Sequence, residues 1–172
     1  MYYLSLIARL LIPFIVTYNL LDKIFYSFTI YLPYILMKLV NYQVFIARPY
    51  LITSSNYIRF SEACAAVSAY FLLLLLIVLT KDIKLKTRIK IFLLGSVIIL
   101  SVNLVRIVVL IAVLETQGFD AFQQTHDILW IIFGSLLVAL TWIFLINHYK
   151  VKSIPIYSDL KYLLEQIKIF KH

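Results

Sequence analysis

Residues 91–114 constrain the fold most, because this stretch is apolar and long enough to cross a bilayer. About 20 helical residues, rising about 1.5 Å each, match a hydrocarbon core about 30 Å thick. Asn103 and Arg106 interrupt the stretch three residues apart, which places them on one face of a helix. An arginine within a membrane helix costs about 2.5–3.5 kcal/mol on insertion scales and usually faces a polar pocket or a partner. We therefore expect a spanning helix with a buried polar face.

The composition indicates an integral membrane protein. Hydrophobic residues make up 63% of the chain and charged residues 14%, and the mean hydropathy is +0.97. A soluble domain carries about 25% charged residues. The net charge is +8, but the basic residues cluster beside apolar runs, as the positive-inside rule describes. Membrane lipids are therefore expected partners, and nucleic acid is not.

Five apolar runs predict an all-α fold, a polytopic bundle of about five transmembrane helices. The runs cover residues 4–21, 24–40, 65–80, 91–114 and 128–147. A short polar turn, Asp22-Lys23, is predicted between the first two runs. Residues 1–147 are expected to form one membrane-embedded domain, followed by a basic tail of residues 148–172.

Residues 41–60 differ from the rest, since they mix polar, aromatic and β-branched side chains without a 3.6-residue period. This pattern predicts two short extended segments at the membrane interface, where tyrosine side chains are common. Ser54-Ser55-Asn56 predicts a turn between them. The bundle is therefore expected to carry one interfacial extended segment.

Basic segments set the predicted orientation. Residues 81–90 and the tail from His148 are rich in lysine, which places both in the cytoplasm. Five spans then leave the N-terminus outside, and the polar residues 115–127 form an outer loop. Residues 157–170 space their apolar side chains helically and predict an amphipathic helix on the inner leaflet.

The same basic segments give a depth estimate for three reactive side chains. Cys64 precedes Lys81 by 17 residues, about 25 Å of helix. Arg106 follows Lys90 by 16 residues, about 24 Å of helix. His126 lies just before the fifth run, at or slightly above the same height. The three side chains are therefore expected at one end of the bundle, near the outer membrane face.

A thiol, a cation and an imidazole at one depth suit cysteine acyl transfer. The Cys64 thiolate would be the nucleophile, and Arg106 would stabilise the thiolate or the oxyanion of a tetrahedral intermediate. His126 would serve as general base and then general acid, with Asp127 or Glu62 nearby to orient it. No cofactor is expected.

Simpler roles stay open for the same residues. A cysteine in a membrane helix often only packs, and Arg106 would also be satisfied by pairing with Glu62 or Asp127. His126 at a helix start is also typical of an interfacial cap. No metal site is expected, because one cysteine and one histidine fall short of a zinc ligand set. His148 is too far from His126 to share a centre with it, since the two lie at opposite ends of the fifth run.

Three motifs together resemble the exosortase/archaeosortase family, over roughly residues 41–147, and its compact archaeal branch most. They are Glu62-Ala63-Cys64, Asn103-x-x-Arg106 and His126-Asp127, each at or in a successive span. Family members are polytopic membrane cysteine transpeptidases. The resemblance implies that Cys64 is the nucleophile, Arg106 its electrostatic partner and His126 the acid/base, with Glu62, Asn103 and Asp127 in support. Many members follow the cysteine with a small residue and then glycine, where this chain has Ala65 and Ala66.

The resemblance also implies a substrate. The family acts on exported proteins whose C-terminal sorting signal consists of a short motif, a transmembrane helix and a basic cluster. Cleavage near the motif would proceed through a Cys64 thioester, followed by transfer to a surface or lipid acceptor. The active site would face the extracytoplasmic side of the cell membrane. The alternative is a small non-enzymatic membrane subunit, in which Arg106 is a structural or lipid-headgroup contact.

Overall fold

The computed structural model describes residues 18–61, 63–80, 83–131, 134 and 136–151. Within them the chain is mostly helical and carries one small sheet. The helices are α1 (Tyr18–Leu39), α2 (Val67–Leu79), α3 (Leu85–Gln117), α4 (Phe119–Ile131) and α5 (Leu137–His148). The strands are β1 (Val44–Ala47), β2 (Tyr50–Thr53) and β3 (Tyr57–Arg59).

Two helical segments are long and apolar enough to cross a membrane. They are Asn19–Leu39 and Leu85–Gln117. The helices Val67–Leu79 and Leu137–His148 are apolar but shorter. Large aliphatic side chains on α3 point away from the protein, among them Val97 at 58% and Val105 at 63% exposure. Such a face suits a lipid surround better than water.

Close packing around Gly95 joins the central helices. A Cβ atom added at Gly95 would lie 2.6 Å from Leu73 Cδ2 and 2.9 Å from Leu145 Cδ1. A larger residue would therefore require the Leu73 and Leu145 side chains to move. In the same core, the rings of Phe25 and Tyr70 stack with centroids 3.6 Å apart, which ties α1 to α2.

Arg88 holds the connection between α2 and α3. Its Nε donates to the carbonyl of Ile83 at 3.0 Å, and its Nη2 donates to Thr80 O at 2.7 Å. Its Nη1 donates to the carbonyls of Ile77 and Val78, both at 2.8 Å. These carbonyls belong to the last turn of α2 and the residues after it, where helical partners run out. One guanidinium therefore clamps the end of α2 to the start of α3.

The predicted extended segment is a three-stranded antiparallel sheet in the order β1-β2-β3. Its strands alternate, so that Val44, Leu51 and Thr53 are buried while Phe45 and Tyr57 are exposed. The expected turn at residues 54–56 does join two strands. The expectation of two extended segments was wrong, because Arg48-Pro49 makes a second turn and divides the first segment into a hairpin.

Several predicted boundaries were also wrong. Asp22 and Lys23 lie inside α1, so no turn separates them from the second apolar run. Helix α3 takes in residues 85–90 of the predicted basic loop and Glu115–Gln117 of the predicted outer loop. Most of that outer loop is helical, because α4 begins at Phe119 directly after Gly118, whose φ is 84°. Glutamate, glutamine and alanine are good helix formers, so polarity alone did not indicate a loop.

Three other expectations concern segments that the structure describes only in part or not at all. The fifth run is helical in two parts, with α4 ending at Ile131 and α5 beginning at Leu137. Residues 4–17 of the first run, Glu62, and the proposed amphipathic helix at residues 157–170 lie outside the described residues. The spanning role of the shorter helices stays a prediction.

Candidate functional site

Cys64 lies in a tight turn that leads into α2. Its backbone N–H donates to Ser61 O at 3.0 Å, and the N–H of Ala65 donates to the same carbonyl at 3.3 Å. The Ser61 hydroxyl lies 3.6 Å from the Cys64 sulfur. The thiol is half-buried and stands just before the N-terminus of α2. The turn thus presents the sulfur at the start of a helix.

Ala66 ends this turn in the left-handed region, with φ 52° and ψ 35°. The N–H of Ala69 donates to the Ala66 carbonyl at 2.9 Å, so Ala66 leads directly into α2. A residue with a Cβ loses about 1–2 kcal/mol in the left-handed region, whereas glycine does not.

Asn103 and Arg106 on α3 hold the cysteine turn from the other side. Both are buried, at 4% and 6% exposure. Asn103 Nδ2 donates to the Cys64 carbonyl at 2.9 Å, and Arg106 Nη2 approaches the same carbonyl at 3.4 Å and Ala63 O at 3.5 Å. The buried Arg106 Nε has no hydrogen-bond partner among the described residues. Part of the guanidinium therefore keeps donors available for a bound group.

His126 stands on α4 within a ladder of aromatic rings. Phe122 and Trp130, one turn before and one turn after it, stack on the imidazole at centroid distances of 5.9 and 6.2 Å. Its Nδ1 lies 3.5 Å from Asp127 Oδ1, and Gln123 Nε2 donates to the same oxygen at 3.1 Å. The rings fix the plane of the imidazole, and the carboxylate lies beside one of its nitrogens.

Cys64, Arg106 and His126 line one cavity of about 230 Å³. Counting residues from the basic segments predicts that these three side chains lie at one end of the bundle. Their chemical roles stay a prediction. Small-molecule sites usually enclose about 300–1,000 Å³, so the cavity suits part of a larger substrate. Most of the other lining residues are apolar, and they come from the β3 segment, α3 and α4: Ile58, Arg59, Phe60, Ser61, Ile107, Leu110, Ile111 and Phe122.

Two of the three predicted supporting residues, Asn103 and Asp127, lie one contact from the cavity. Asn103 bonds the Cys64 carbonyl, and Asp127 adjoins His126. Glu62 is outside the described residues. Among the residues that the structure describes, Asp127 Oδ1 lies 3.5 Å from His126 Nδ1, and no salt bridge joins Asp127 to Arg106. The structural role in which Arg106 is neutralised by Asp127 is therefore not seen.

Sequence reasoning missed Ser61 and Phe122, both of which line the cavity. Helical spacing offered a signal for Phe122, which lies four residues before His126 and hence on the same face of a helix. Ser61 gave no comparable signal, because its position depends on a turn rather than on a periodic element. The Phe60 carbonyl next to it accepts a hydrogen bond from the Tyr26 hydroxyl at 3.2 Å. That bond ties the turn to α1.

Glu115 anchors the sheet beside the site and was also missed. Its Oε1 accepts hydrogen bonds from Thr53 Oγ1 at 2.5 Å and from Asn56 Nδ2 at 2.9 Å. Burial, and then the hydrogen bond to Glu115, raises the pKa of Tyr42 above its usual value. The last turn of α3 thus fixes the β2–β3 turn, and with it the strand that lines the cavity.

The cavity therefore combines a thiol, a buried cation with unused donors and an oriented imidazole, which is a set of groups that nucleophilic acyl transfer requires. Within the described ranges, no three His, Cys, Asp or Glu side chains lie close enough together to hold a metal ion. Comparisons with protein-family models, with curated proteins and with solved structures find no match for this chain.

Proposed function

We infer that the chain is a membrane cysteine transpeptidase of the exosortase/archaeosortase type. The observation that carries the proposal is the convergence of Cys64, Arg106 and His126, from three separate elements, on one cavity. Residues this far apart in sequence converge on an apolar pocket most readily when the pocket has a use. The substrates would be exported proteins with a C-terminal sorting signal made of a short motif, a transmembrane helix and a basic cluster.

The proposed setting is a polytopic bundle of about five spans in the cell membrane. The two long apolar segments, the two shorter ones and the outward-facing aliphatic side chains of α3 support membrane insertion. We place residues 81–90 inside, because lysine and arginine favour the cytoplasmic side. The Cys64 end of α2 would then face the extracytoplasmic side, where exported substrates arrive.

The first half of the proposed reaction forms a thioester. His126 takes the proton of the Cys64 thiol, and the sulfur attacks the carbonyl carbon of the scissile peptide bond. The resulting oxyanion would accept hydrogen bonds from the Arg106 guanidinium, whose Nε is buried and unpartnered among the described residues. When the C–N bond breaks, His126 returns the proton to the leaving amine. The C-terminal part of the substrate departs, and the remainder stays on Cys64.

The second half transfers the substrate. An acceptor nucleophile at the surface, a lipid group or water loses its proton to His126 and attacks the thioester carbonyl. The C–S bond breaks, and the thiol of Cys64 regains a proton from the imidazolium. The same groups act in both halves, so one cavity is enough for the cycle. Asp127 Oδ1 lies 3.5 Å from the imidazole Nδ1, where it would help to orient the ring in each half.

The test is processing of a co-expressed reporter that carries the tripartite tail, followed by its gel shift. Cys64→Ala is expected to abolish processing, and Cys64→Ser to be nearly inactive, because a serine hydroxyl needs a stronger base. Val105→Ala is the matched control, since this exposed α3 residue adjoins Arg106 in sequence but faces away from the protein. Full processing by Cys64→Ala would refute the proposal.

The second candidate is the non-enzymatic membrane subunit. The contacts of Arg106 Nη2 with the carbonyls of Ala63 and Cys64 favour it, because they give the arginine a structural role without any chemistry. In that case Cys64→Ala would leave the protein fully functional. Loss of Arg106 would then lower stability without any change in the reporter.

A further inference from the structure

Within the described ranges, strand β3 is an edge strand whose outward hydrogen-bonding groups have no backbone partner. It pairs with β2 alone in the described sheet. Two bonds fix the pairing: Phe60 N–H donates to Pro49 O, and Thr53 N–H donates to Asn56 O, each at 2.9 Å. Hydrogen-bonded positions alternate along an antiparallel strand. The backbone groups of residues 56, 58 and 60 therefore face β2, and those of Tyr57 and Arg59 face away.

The outward groups of Tyr57 and Arg59 have no backbone partner in the described part of the chain. Both residues are exposed, Tyr57 at 77%. Two N–H and two C=O groups are thus presented in the geometry of a strand. An exposed edge of this kind is a template for another extended chain.

This free edge runs along the cavity that contains the cysteine. Ile58 and Arg59 of β3 line the cavity on one side, and Phe122 and His126 of α4 line it on another. The chain then leads from Arg59 through a short turn to Cys64. A strand added at the edge would therefore lie about 4.8 Å from β3, on the side of the strand that faces away from β2, and would pass the nucleophile.

We propose that the free edge of β3 is the docking strand for the substrate, which binds as an extended polypeptide segment by β-strand addition. Its backbone bonds Tyr57 and Arg59, and the following residues bring the scissile carbonyl to Cys64. Main-chain bonds give affinity without sequence selectivity, whereas a side chain of the segment enters the apolar part of the cavity beside Leu110 and Ile111. The ligand class is thus an extended peptide with an apolar residue near the cleavage point. This inference rests on the proposed function for its substrate.

The test compares Arg59→Pro with Arg59→Ala in the full-length protein. Both variants remove the same side-chain contacts, and only proline removes the outward N–H. The ladder to β2 keeps its bonds, because the Arg59 N–H does not face β2, and proline is tolerated at such an edge. The probe is a fluorescent peptide with the reporter sequence that precedes its transmembrane helix. Its dissociation constant is measured on the Cys64→Ala background, so that binding is read without turnover.

We expect Arg59→Pro to weaken peptide binding about five- to tenfold relative to Arg59→Ala, the effect of one lost hydrogen bond. In the wild-type background, alkylation of Cys64 by a small thiol reagent should proceed at the same rate in both variants, which shows an intact turn. Equal peptide affinities would overturn the docking proposal. If alkylation shows that Arg59→Pro disturbs the turn, the binding of probe peptides with methylated backbone nitrogens tests the docking proposal instead.

That second measurement leaves the protein unchanged and methylates one backbone nitrogen of the probe peptide at a time. In a paired strand only every second N–H faces its neighbour, so affinity should fall at alternate positions. Uniform losses, or none, would overturn the proposal. The reporter assay separates this result from the chemistry: alternating losses without any processing would retain the docking strand and refute the transpeptidase function.

Discussion

Substituting Ala66 by glycine should stabilise the protein, which is unusual for glycine next to a helix. At φ 52° an alanine loses about 1–2 kcal/mol, and glycine relieves that loss. Glycine in turn makes the unfolded chain more flexible, which costs about 0.4–1 kcal/mol. The net gain is about 0–1.6 kcal/mol with a midpoint near 0.8 kcal/mol, which corresponds to a rise of about 2–3 °C in Tm for a domain of this size.

Ala65 provides the matched control, because it adjoins Ala66 but has an ordinary negative φ and is fully buried. Ala65→Gly adds the same unfolded-state flexibility and also removes a buried methyl group, worth about 0.8 kcal/mol. The Tm of Ala65→Gly should therefore fall, whereas that of Ala66→Gly should rise, although both variants replace an alanine by glycine. Thermal unfolding of the purified protein in detergent measures both. Equal destabilisation by the two variants would contradict the left-handed geometry of the cysteine turn.

Three further substitutions test the site and the topology. Arg106→Lys should lower the rate of reporter processing by a factor of about 10²–10³, because lysine keeps the charge but loses the planar guanidinium that contacts the turn and the oxyanion together. Processing near the wild-type rate would contradict this role. Val105→Ala is the control. His126→Ala should lower the rate of reporter processing, because the imidazole moves a proton in both halves of the proposed reaction, while reporter binding is unchanged; weaker binding alone would point to a structural histidine. A cysteine at Lys84, in a Cys64→Ser background, should resist impermeant thiol reagents added outside, and labelling from that side would reverse the proposed orientation.

The position of Arg106 along its helix could be predicted because the rise of a helix is fixed, whereas Cys64 lies in the turn before α2, so residues 64–66 of its count are not helical. Counting residues from the basic segments placed Cys64 and Arg106 at one height, and both line the same cavity. Apolar patterning likewise located most of α2 and α3. These inferences depend only on local geometry and on where charged side chains are costly.

Other features depended on information that periodicity does not carry. The turn that presents Cys64 requires a left-handed Ala66, and nothing in an alanine pair indicates its backbone conformation. The sheet has a third strand because Arg48-Pro49 turns the chain within a stretch that was expected to be continuous. Residues 115–117 are helical because helix propensity and continuation from α3 outweigh their polarity.

The contacts of Arg88, at one end of the α2–α3 pair, affect how Cys64 and Arg106 are positioned at the other end. Arg88 and Arg106 are 18 residues apart on α3, which is about 27 Å. Over that lever arm, a change of about 5° between α2 and α3 moves their far ends by about 2 Å relative to each other. A displacement of that size would break the 2.9 Å bond between Asn103 and the Cys64 carbonyl. The contacts of Arg88 thus set the angle between α2 and α3. This angle in turn determines the distance between the Cys64 turn and Arg106 at the other end of the helix pair.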